Sequence, residues 1–515
     1  MKKDKKRIFH IIYGRTFITI VLILIQIYIM FMVFDWLKNG YTHGYTFFNI
    51  ITVILVIYIL NKKEDSSFKL IWIISLLAFP VFGALFYMFI EFQIGNKIIN
   101  EKLSNIIEET NKYLSQSRKI INKLKDENKE VANLAKYIFN VSKYPVYKNS
   151  TIKYYPLGEE QFNDMKVELK KAKKFIFMEY FIIEKGVMWD SILEILEKKA
   201  EEGVEIRVMY DGVCSLALLP YNYPKKLIKK GIKCKMFSPV KPALLASQNN
   251  RDHRKILVID GNIAFTGGVN IGDEYINLYK KFGHWKDVAI KITGDSVKSF
   301  TLMFLQMWNI NEKKHDDFLN YISIKNREKS KSSSGYVIPY GDSPLDNETV
   351  GENVYLDILN TAKKYVHIMT PYLIIDNKMI CALTYAAKRG IDVKIILPNK
   401  PDKISAFMLA KTYYKELLQA GVRIYEYIPG FIHAKIFSSD NEKAVIGSIN
   451  LDFRSLYLHF ECATYIYKNN VVNIIEKDFE ETLSKCKRIT IDEYKKLGLL
   501  FKIGGKLLRL IAPLM

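Results

Sequence analysis

The chain contains 515 residues, 49% of them apolar, which excludes a wholly disordered chain and favours about three domains. Lys and Arg number 76 against 54 acidic residues, and this net charge of +22 favours a polyanionic partner, either nucleic acid or an anionic membrane surface. The five cysteines form no CxxC pair and have no histidine at ligand spacing, which argues against a disulfide scaffold and a zinc site.

Three apolar stretches, 17–34, 45–60 and 70–90, lie near the amino terminus. A bilayer core needs about 20 apolar residues per helix, so the first and third are long enough and the second is marginal. We therefore predict an amino-terminal membrane segment over 1–92, with two to three transmembrane helices, and a multi-pass protein of the cell membrane. Pro80 is tolerated inside a membrane helix.

Two features of this segment stay open. A cleaved signal peptide is the alternative for the first stretch, although no small-residue cleavage site follows it. The basic groups before the first stretch and at Lys62-Lys63 favour the cytoplasm. The number of true spans then decides on which side the rest of the chain lies, and the sequence leaves that number open.

Residues 93–144 are predicted to be a helical connector, because apolar residues recur there at helical spacing. From about residue 145 the pattern alternates: a strand at 175–183, a helix at 191–202 and a strand at 204–210. This order predicts βαβ units on a largely parallel sheet, an α/β fold.

The alternating pattern occurs twice. Ala172-Lys-Lys-Phe175 returns as Ala362-Lys-Lys-Tyr365, and Gly203 matches Gly390. A Ser/Lys-rich run predicts a linker at 321–335 between a first lobe, 145–320, and a second lobe, 336–490. A long period repeated only twice indicates a duplicated domain and not a solenoid.

Each lobe contains a His-x-Lys-x4-Asp motif followed by a small-residue turn that ends in Asn. The first set is His253, Lys255, Asp260 and Asn270, and the second is His433, Lys435, Asp440, Ser448 and Asn450. The spacing predicts a hairpin in each lobe, with His and Lys on one face and His opposite Asn at the open end. Two hairpins would bring together paired His, Lys and Asn, with no obvious metal ligand set. That inventory suits a phosphoryl group.

Four carboxylates accompany these motifs. Asp260 and Asp440 lie seven residues after the histidines, about 20 Å away at strand rise, and we expect them to anchor the turns. A catalytic imidazole needs a partner on its far ring nitrogen. Asp287 and Glu461 begin matching strand-like runs, 34 and 28 positions after the histidine of their own lobe, so we predict that they orient the histidines.

The paired motifs, with the runs TGGVNIGDEY and Trp285-Lys286-Asp287, resemble the phospholipase D superfamily and, within it, the bacterial cardiolipin synthases, over nearly the whole chain. The resemblance implies two duplicated phospholipase D-like lobes, each a mixed sheet flanked by helices. It also implies that two phosphatidylglycerol molecules give cardiolipin and glycerol through a phosphohistidine, without metal or other cofactor. The chain departs from the family in the leading stretch 17–34 and in Lys286, where arginine is common.

The residues of the two motifs are assigned roles in this chemistry. We predict the catalytic set to be His253, Lys255, Asp260, His433, Lys435 and Asp440, and the phosphate-binding residues to be Asn270, Asn450 and Ser448. By analogy His253 is the nucleophile and His433 the general acid.

Three alternatives compete with this interpretation. A nuclease would share the motifs and the charge, but it needs no membrane spans, and we expect no nucleic-acid partner. A hydrolytic phospholipase D would differ only in its acceptor, and a non-catalytic membrane scaffold would not need both His-x-Lys pairs. The expected partners are phosphatidylglycerol and anionic membrane lipids, and a homo-oligomer is left open.

The carboxy-terminal residues 491–515 are predicted to form an amphipathic helix on the membrane. Leu499, Ile503, Leu507 and Leu510 share one helical face, with basic residues beside it. The alternative is a helix that packs on the lobes.

Overall fold

A computed structural model of the chain describes residues 42–92, 95–241, 248–322 and 334–514, together with four isolated positions before residue 42. The predicted stretch 17–34, apart from those positions, and most of the predicted linker lie outside the described residues.

Three helices that contact one another form the described amino-terminal segment: Thr42–Asn61, Ser66–Ala78 and Pro80–Glu91. The stretch 70–90, predicted as one continuous helix, is thus divided at Phe79. Proline disfavours helical backbone in the residue before it, and Phe79 has φ −136° and ψ 72°. Within the described part of the chain, no helix has the length and apolar content needed to cross a bilayer. The membrane spans therefore stay a prediction.

The connector is helical, as predicted, and consists of three helices, Gly95–Asn111, Arg118–Glu127 and Lys129–Ser142. Ser117 and Asn128 accept hydrogen bonds from the backbone at the starts of the second and third helices. Buried residues such as Ile106, Leu124 and Leu134 join these helices to a core that both lobes share.

The first lobe is built on a seven-stranded mixed sheet of order β1-β9-β7-β6-β2-β3-β4. Its strands, with the separate short strands β5 and β8, are β1 Ser150–Tyr155, β2 Phe175–Tyr180, β3 Glu205–Asp211, β4 Lys233–Phe237, β5 Arg251–Asp252, β6 Lys255–Ile259, β7 Ile263–Gly267, β8 His284–Lys286 and β9 Ala289–Gly294. Only β2, β3 and β4 run parallel; the other neighbours are antiparallel, so the expectation of a largely parallel sheet is wrong. The helices are Gly158–Lys171, Val187–Glu201, Cys214–Ala217, Tyr223–Ile228, Val297–Asn309 and Leu319–Ile322.

The second lobe repeats this order as β10-β19-β17-β16-β11-β13-β14 and adds β20 at the edge, which confirms the duplication. Its strands are β10 Tyr336–Asp342, β11 Tyr365–Met369, β12 Leu373–Ile374, β13 Asp392–Pro398, β14 Arg423–Tyr427, β15 Gly430–Ile432, β16 Ile436–Ser439, β17 Lys443–Gly447, β18 Leu451–Asp452, β19 His459–Tyr467 and β20 Cys486–Ile489. Its main helices are Val350–Thr361, Asn377–Lys388, Ile404–Gln419 and Val471–Leu483.

Two short strand pairings join the lobes. Strand β5 runs parallel to the start of β19, and β8 runs parallel to β15. Each pairing continues into a histidine motif, because the His253 amide donates to the Phe460 carbonyl and the His433 amide donates to the Lys286 carbonyl. Each histidine is therefore attached by its backbone to the opposite lobe.

The chain ends in the helices Ile491–Lys495 and Leu499–Arg509. Gly504 and Gly505 face the helix Ile404–Gln419, where a Cβ on either would lie within 2.8 Å of Met408 or Thr412 atoms. The opposite side carries exposed leucines, among them Leu499, which is 72% exposed, and Leu507, 61% exposed. The helix thus packs on the second lobe by its glycines and leaves its apolar face uncovered by the described residues.

Candidate active site

Both motif histidines line one cavity of about 680 Å³, to which the two lobes contribute. The hairpins β6–β7 and β16–β17 deliver them to it. Each hairpin closes through a three-residue turn, since Ile259 pairs with Ile263 and Ser439 with Lys443. This register, with Ile256 opposite Thr266, differs by one residue from the predicted one, in which His253 lies opposite Asn270.

The motif aspartates lie at the turns and outside this cavity. The Asp260 carboxylate accepts the backbone amides of residues 173–175 at 2.7–2.9 Å, and Asp440 accepts those of residues 363–365 at 2.8–3.1 Å. Both residues have positive φ, as the tight turn requires. The turn-anchoring expectation agrees with this geometry, whereas a catalytic role for Asp260 and Asp440 does not.

Carboxylates contact both motif histidines, and the pairs cross between the lobes. His253 Nδ1 lies 2.8 Å from Glu461 Oε1, and His433 Nδ1 lies 2.6 Å from Asp287 Oδ2. Both carboxylates are fully buried. The sequence identified the four residues, but it counted each carboxylate from the histidine of its own lobe, and the structure pairs it with the other one. The bond to Nδ1 leaves Nε2 of each ring available for chemistry.

Burial shifts the pKa values of both motif histidines and of Glu461 toward their neutral forms. It lowers the pKa of His433 to about 4 and raises that of Glu461 to about 8. Burial and the nearby cations Lys255 and Lys435 hold the pKa of His253 well below its usual value. A neutral His253 has the lone pair that a nucleophile needs.

Lys255 and Lys435 are almost completely buried beside the histidines. Each ammonium donates to the backbone carbonyl of its own motif histidine. Burial lowers the pKa of Lys255 to about 8 and that of Lys435 to about 7. Because these pKa values lie close to neutral pH, an anionic phosphate beside the two lysines would restore their full positive charge.

Of the three predicted phosphate-binding residues, two line the cavity and one does not. Asn270 and Asn450 both line the cavity, and Asn450 Oδ1 has no hydrogen-bond partner within the described structure. Ser448 lies behind the cavity instead: its hydroxyl donates to Glu461 Oε2 and accepts from the Cys462 amide. The Ser448 hydroxyl is therefore engaged with the Glu461 carboxylate, and its phosphate-binding role stays a prediction that this geometry does not favour.

Aromatic rings fix the orientation of the imidazoles. Phe181 meets His253 edge to face at 4.8 Å between ring centroids, and Trp285 packs against His433 at 5.2 Å. The neighbouring Lys286 points away and forms an ion pair with Asp478 at 2.7 Å. Lys286 thus ties the lobes together and needs no bidentate arginine geometry.

Two residues in this cavity were not predicted to act in the site. His459, 9% exposed, lies 5.4 Å from His253 between ring centroids, and Arg454 donates from Nε to its Nε2 at 3.2 Å. The signal available was the cluster of polar residues between Asn450 and Glu461, both of which the sequence had singled out.

Candidate metal ligands also occur in the site. His253, His459 and Glu461 offer ligand atoms within 4.8 Å of one another, a group that the sequence analysis did not recognise. The His253 and Glu461 atoms already contact each other, so the hydrogen-bonded imidazole explains their arrangement fully.

Comparison with known proteins identifies the superfamily to which the chain belongs. The model of the cardiolipin synthase, phospholipase D-like domain matches residues 165–308 and 355–483, and that of the phospholipase D-nuclease N-terminal domain matches 50–90. A crystal structure of phosphatidylserine synthase from Haemophilus influenzae shares the fold, with a TM-score of 0.55 over 75% of this chain and 100% of that one, at 16% identity. The fold and the paired motifs are thus those of the phospholipase D superfamily.

Curated relatives define the family. A cardiolipin synthase of Alkalihalophilus pseudofirmus is 34% identical over 448 residues, covering 87% of this chain and 88% of the relative. A cardiolipin synthase of Clostridium perfringens is 34% identical over 456 residues, covering 86% and 93%. An uncharacterized protein of Streptococcus mutans is 49% identical over 458 residues, covering 89% and 99%. The chain belongs to the bacterial cardiolipin synthase family of phosphatidyltransferases.

Proposed function

We propose that this chain transfers a phosphatidyl group from one phosphatidylglycerol to another, giving cardiolipin and glycerol. The observation that carries the proposal is the pair of histidines in one cavity, each with a buried carboxylate on Nδ1 and a buried lysine beside it. Two such imidazoles suit a two-step displacement at phosphorus, one as nucleophile and one as proton carrier.

In the first step His253 Nε2 attacks the phosphorus of the donor lipid. The bond from phosphorus to the glycerol oxygen breaks, and His433 protonates that oxygen, so that glycerol leaves. Asp287, in contact with His433 Nδ1, stabilises the protonated imidazole that this step needs. Lys255, Lys435 and the asparagines bind the phosphate oxygens, where charge develops.

In the second step the neutral His433 takes the proton from a hydroxyl of the acceptor lipid. That oxygen attacks phosphorus, the P–N bond to His253 breaks, and cardiolipin is released. Glu461 holds the His253 ring through both steps, because its contact with Nδ1 does not involve the reacting nitrogen.

We further propose that the chain is an integral membrane protein, multi-pass through its amino-terminal segment, with the cavity close to the lipid surface. The helix Ser66–Ala78 contacts the second lobe near the cavity, where Phe68 packs on Phe453 and Tyr457 at ring distances of 5.9 and 5.8 Å. The carboxy-terminal helix presents exposed leucines with Lys502, Lys506 and Arg509, a pattern that favours anionic lipid. Leu514, just beyond this helix, lines the catalytic cavity itself.

Incubation of membranes containing the protein with labelled phosphatidylglycerol tests the reaction. We expect cardiolipin and glycerol from the wild type and neither from His253→Gln. Phosphatidic acid as the dominant product would show that water is the acceptor and would overturn the transfer.

A further inference from the structure

Arg454 stands out among the arginines of the catalytic cavity. It is half-buried and lines the cavity, yet no carboxylate among the described residues lies within 4.0 Å of its guanidinium nitrogens. Arg251, the other arginine that lines this cavity, lies 3.5 Å from the Asp211 carboxylate. A desolvated guanidinium without a counter-ion, facing a cavity, is a ready anion-binding group.

His459 fixes the position of this guanidinium. Arginine can only donate, so His459 Nε2 accepts from Arg454 Nε and the proton of the neutral imidazole lies on Nδ1. Burial and the cations Arg454 and Lys255 hold the pKa of His459 well below its usual value, which keeps the ring neutral. Its Nδ1 lies 3.9 Å from Glu461 Oε1, so His459 is placed between the arginine and the carboxylate that orients His253.

Other charges face the same part of the cavity. Lys403 lines it and has no carboxylate partner within ion-pair distance in the described ranges. Asp452 also lines it, but its carboxylate accepts the Ser455 amide at 2.8 Å and does not reach Arg454. Glu184, Glu274 and Asp402 also line the cavity, and neither Arg454 nor Lys403 forms an ion pair with any of these carboxylates. Arg454 and Lys403 are therefore cations available in addition to Lys255 and Lys435.

We propose that Arg454, positioned by His459 and assisted by Lys403, binds the phosphate of the acceptor lipid. This subsite is separate from the one that holds the reacting phosphorus, and it rests on the proposed function because it requires an acceptor that carries a phosphate. The acceptor phosphatidylglycerol reacts through a hydroxyl of its headgroup glycerol. Its own phosphate must therefore lie within one glycerol length of the phosphorus on His253. Arg454 lies at the same end of the cavity, because it contacts His459, and the His459 ring lies next to that of His253.

Two reactions of the full-length enzyme in mixed micelles separate the subsites. Cardiolipin formation from phosphatidylglycerol needs both, whereas exchange of labelled glycerol into phosphatidylglycerol uses the same donor and intermediate with an acceptor that has no phosphate. We expect Arg454→Gln to lower cardiolipin formation at least tenfold and glycerol exchange less than threefold. Arg454→Lys should recover part of the loss, and His459→Gln should act in the same direction as Arg454→Gln but less strongly.

The control is Lys280→Gln, which removes a charge from an exposed residue outside the cavity lining and should change neither reaction. If the wild type exchanges glycerol but forms no cardiolipin, the proposed function is wrong. If it forms cardiolipin and Arg454→Gln lowers both reactions equally, or neither, the acceptor subsite is wrong. If Arg454→Gln melts at a lower temperature than the wild type, Arg454→Lys takes its place in the test. The ratio of cardiolipin formation to glycerol exchange in Arg454→Lys then decides whether the acceptor subsite is correct, by the same criterion.

Discussion

His253 Nδ1 of the first lobe lies 2.8 Å from Glu461 Oε1 of the second lobe, and His433 Nδ1 of the second lobe lies 2.6 Å from Asp287 Oδ2 of the first. Each half of the duplicated fold thus supplies the carboxylate that contacts the motif histidine of the other. Among the described residues, neither His253 nor His433 has this carboxylate within its own lobe.

Replacement of these carboxylates by amides should slow catalysis without unfolding the protein. Glu461→Gln and Asp287→Asn keep a hydrogen-bonding group next to Nδ1, but neither amide can ionise to stabilise a cationic ring. We expect turnover to fall at least tenfold, about 1.4 kcal/mol of barrier, with KM for phosphatidylglycerol almost unchanged. Steady-state kinetics and melting temperatures measure both, and near-normal turnover in the two variants would refute the orienting role.

The turn aspartates should show the opposite behaviour. Asp260→Asn weakens an acceptor of three backbone amides, which should lower the free energy of unfolding by about 1–3 kcal/mol while the folded protein keeps its turnover within about threefold. Asp440→Asn is the matched variant in the other lobe. A variant that melts like the wild type but has lost its activity would place these aspartates in catalysis after all.

The phosphoenzyme should form on His253. Rapid acid-free quenching with donor lipid labelled in its phosphate, followed by proteolysis and peptide mapping, locates the label. His433→Asn should still accept it slowly, because the nucleophile is intact and only the general acid is missing. Label on His433 would reverse the two roles.

The rate should decline on the alkaline side of neutrality. Burial gives Lys435 a pKa of about 7 and Lys255 one of about 8, so each ammonium loses its proton, and its attraction for phosphate, as pH rises through that value. We expect kcat/KM to fall from about pH 7 to pH 9, since this quantity reports groups of the free enzyme. Lys435→Arg stays cationic over this range and should shift the decline upward despite a lower rate. A profile of the wild type that is level from pH 6 to 9 would contradict the assignment.

The carboxy-terminal helix should lie on the lipid. A fluorophore on Leu507→Cys, in a Cys381→Ser background that removes the exposed native thiol, should be quenched by spin-labelled lipid in nanodiscs. The same fluorophore on Lys495→Cys, which is exposed on the preceding short helix, should stay in water. Equal quenching at the two positions would rule out an interfacial helix.

Features that depend on local spacing could be predicted from the amino-acid sequence alone. The offset repeats predicted the duplicated lobes, the His-x-Lys spacing predicted hairpins, and the distance from His253 to Asp260 placed that carboxylate at a turn. These predictions hold because strand geometry fixes which side chains share a face and how far apart they lie. The same local argument was insufficient at Pro80, where the tolerance of proline in membrane helices did not indicate that the helix would be divided.

Which carboxylate contacts which histidine depends on how the two lobes pack against each other. The crossing follows from the pairing of β5 with β19 and of β8 with β15, in which only two or three residues of each strand pair. Segments this short carry no periodic signal, and the residues they bring together are more than 140 positions apart in sequence. The contacts of Ser448 with Glu461 and of Arg454 with His459 lie within the second lobe, and the packing of the lobes places them beside His253 of the first.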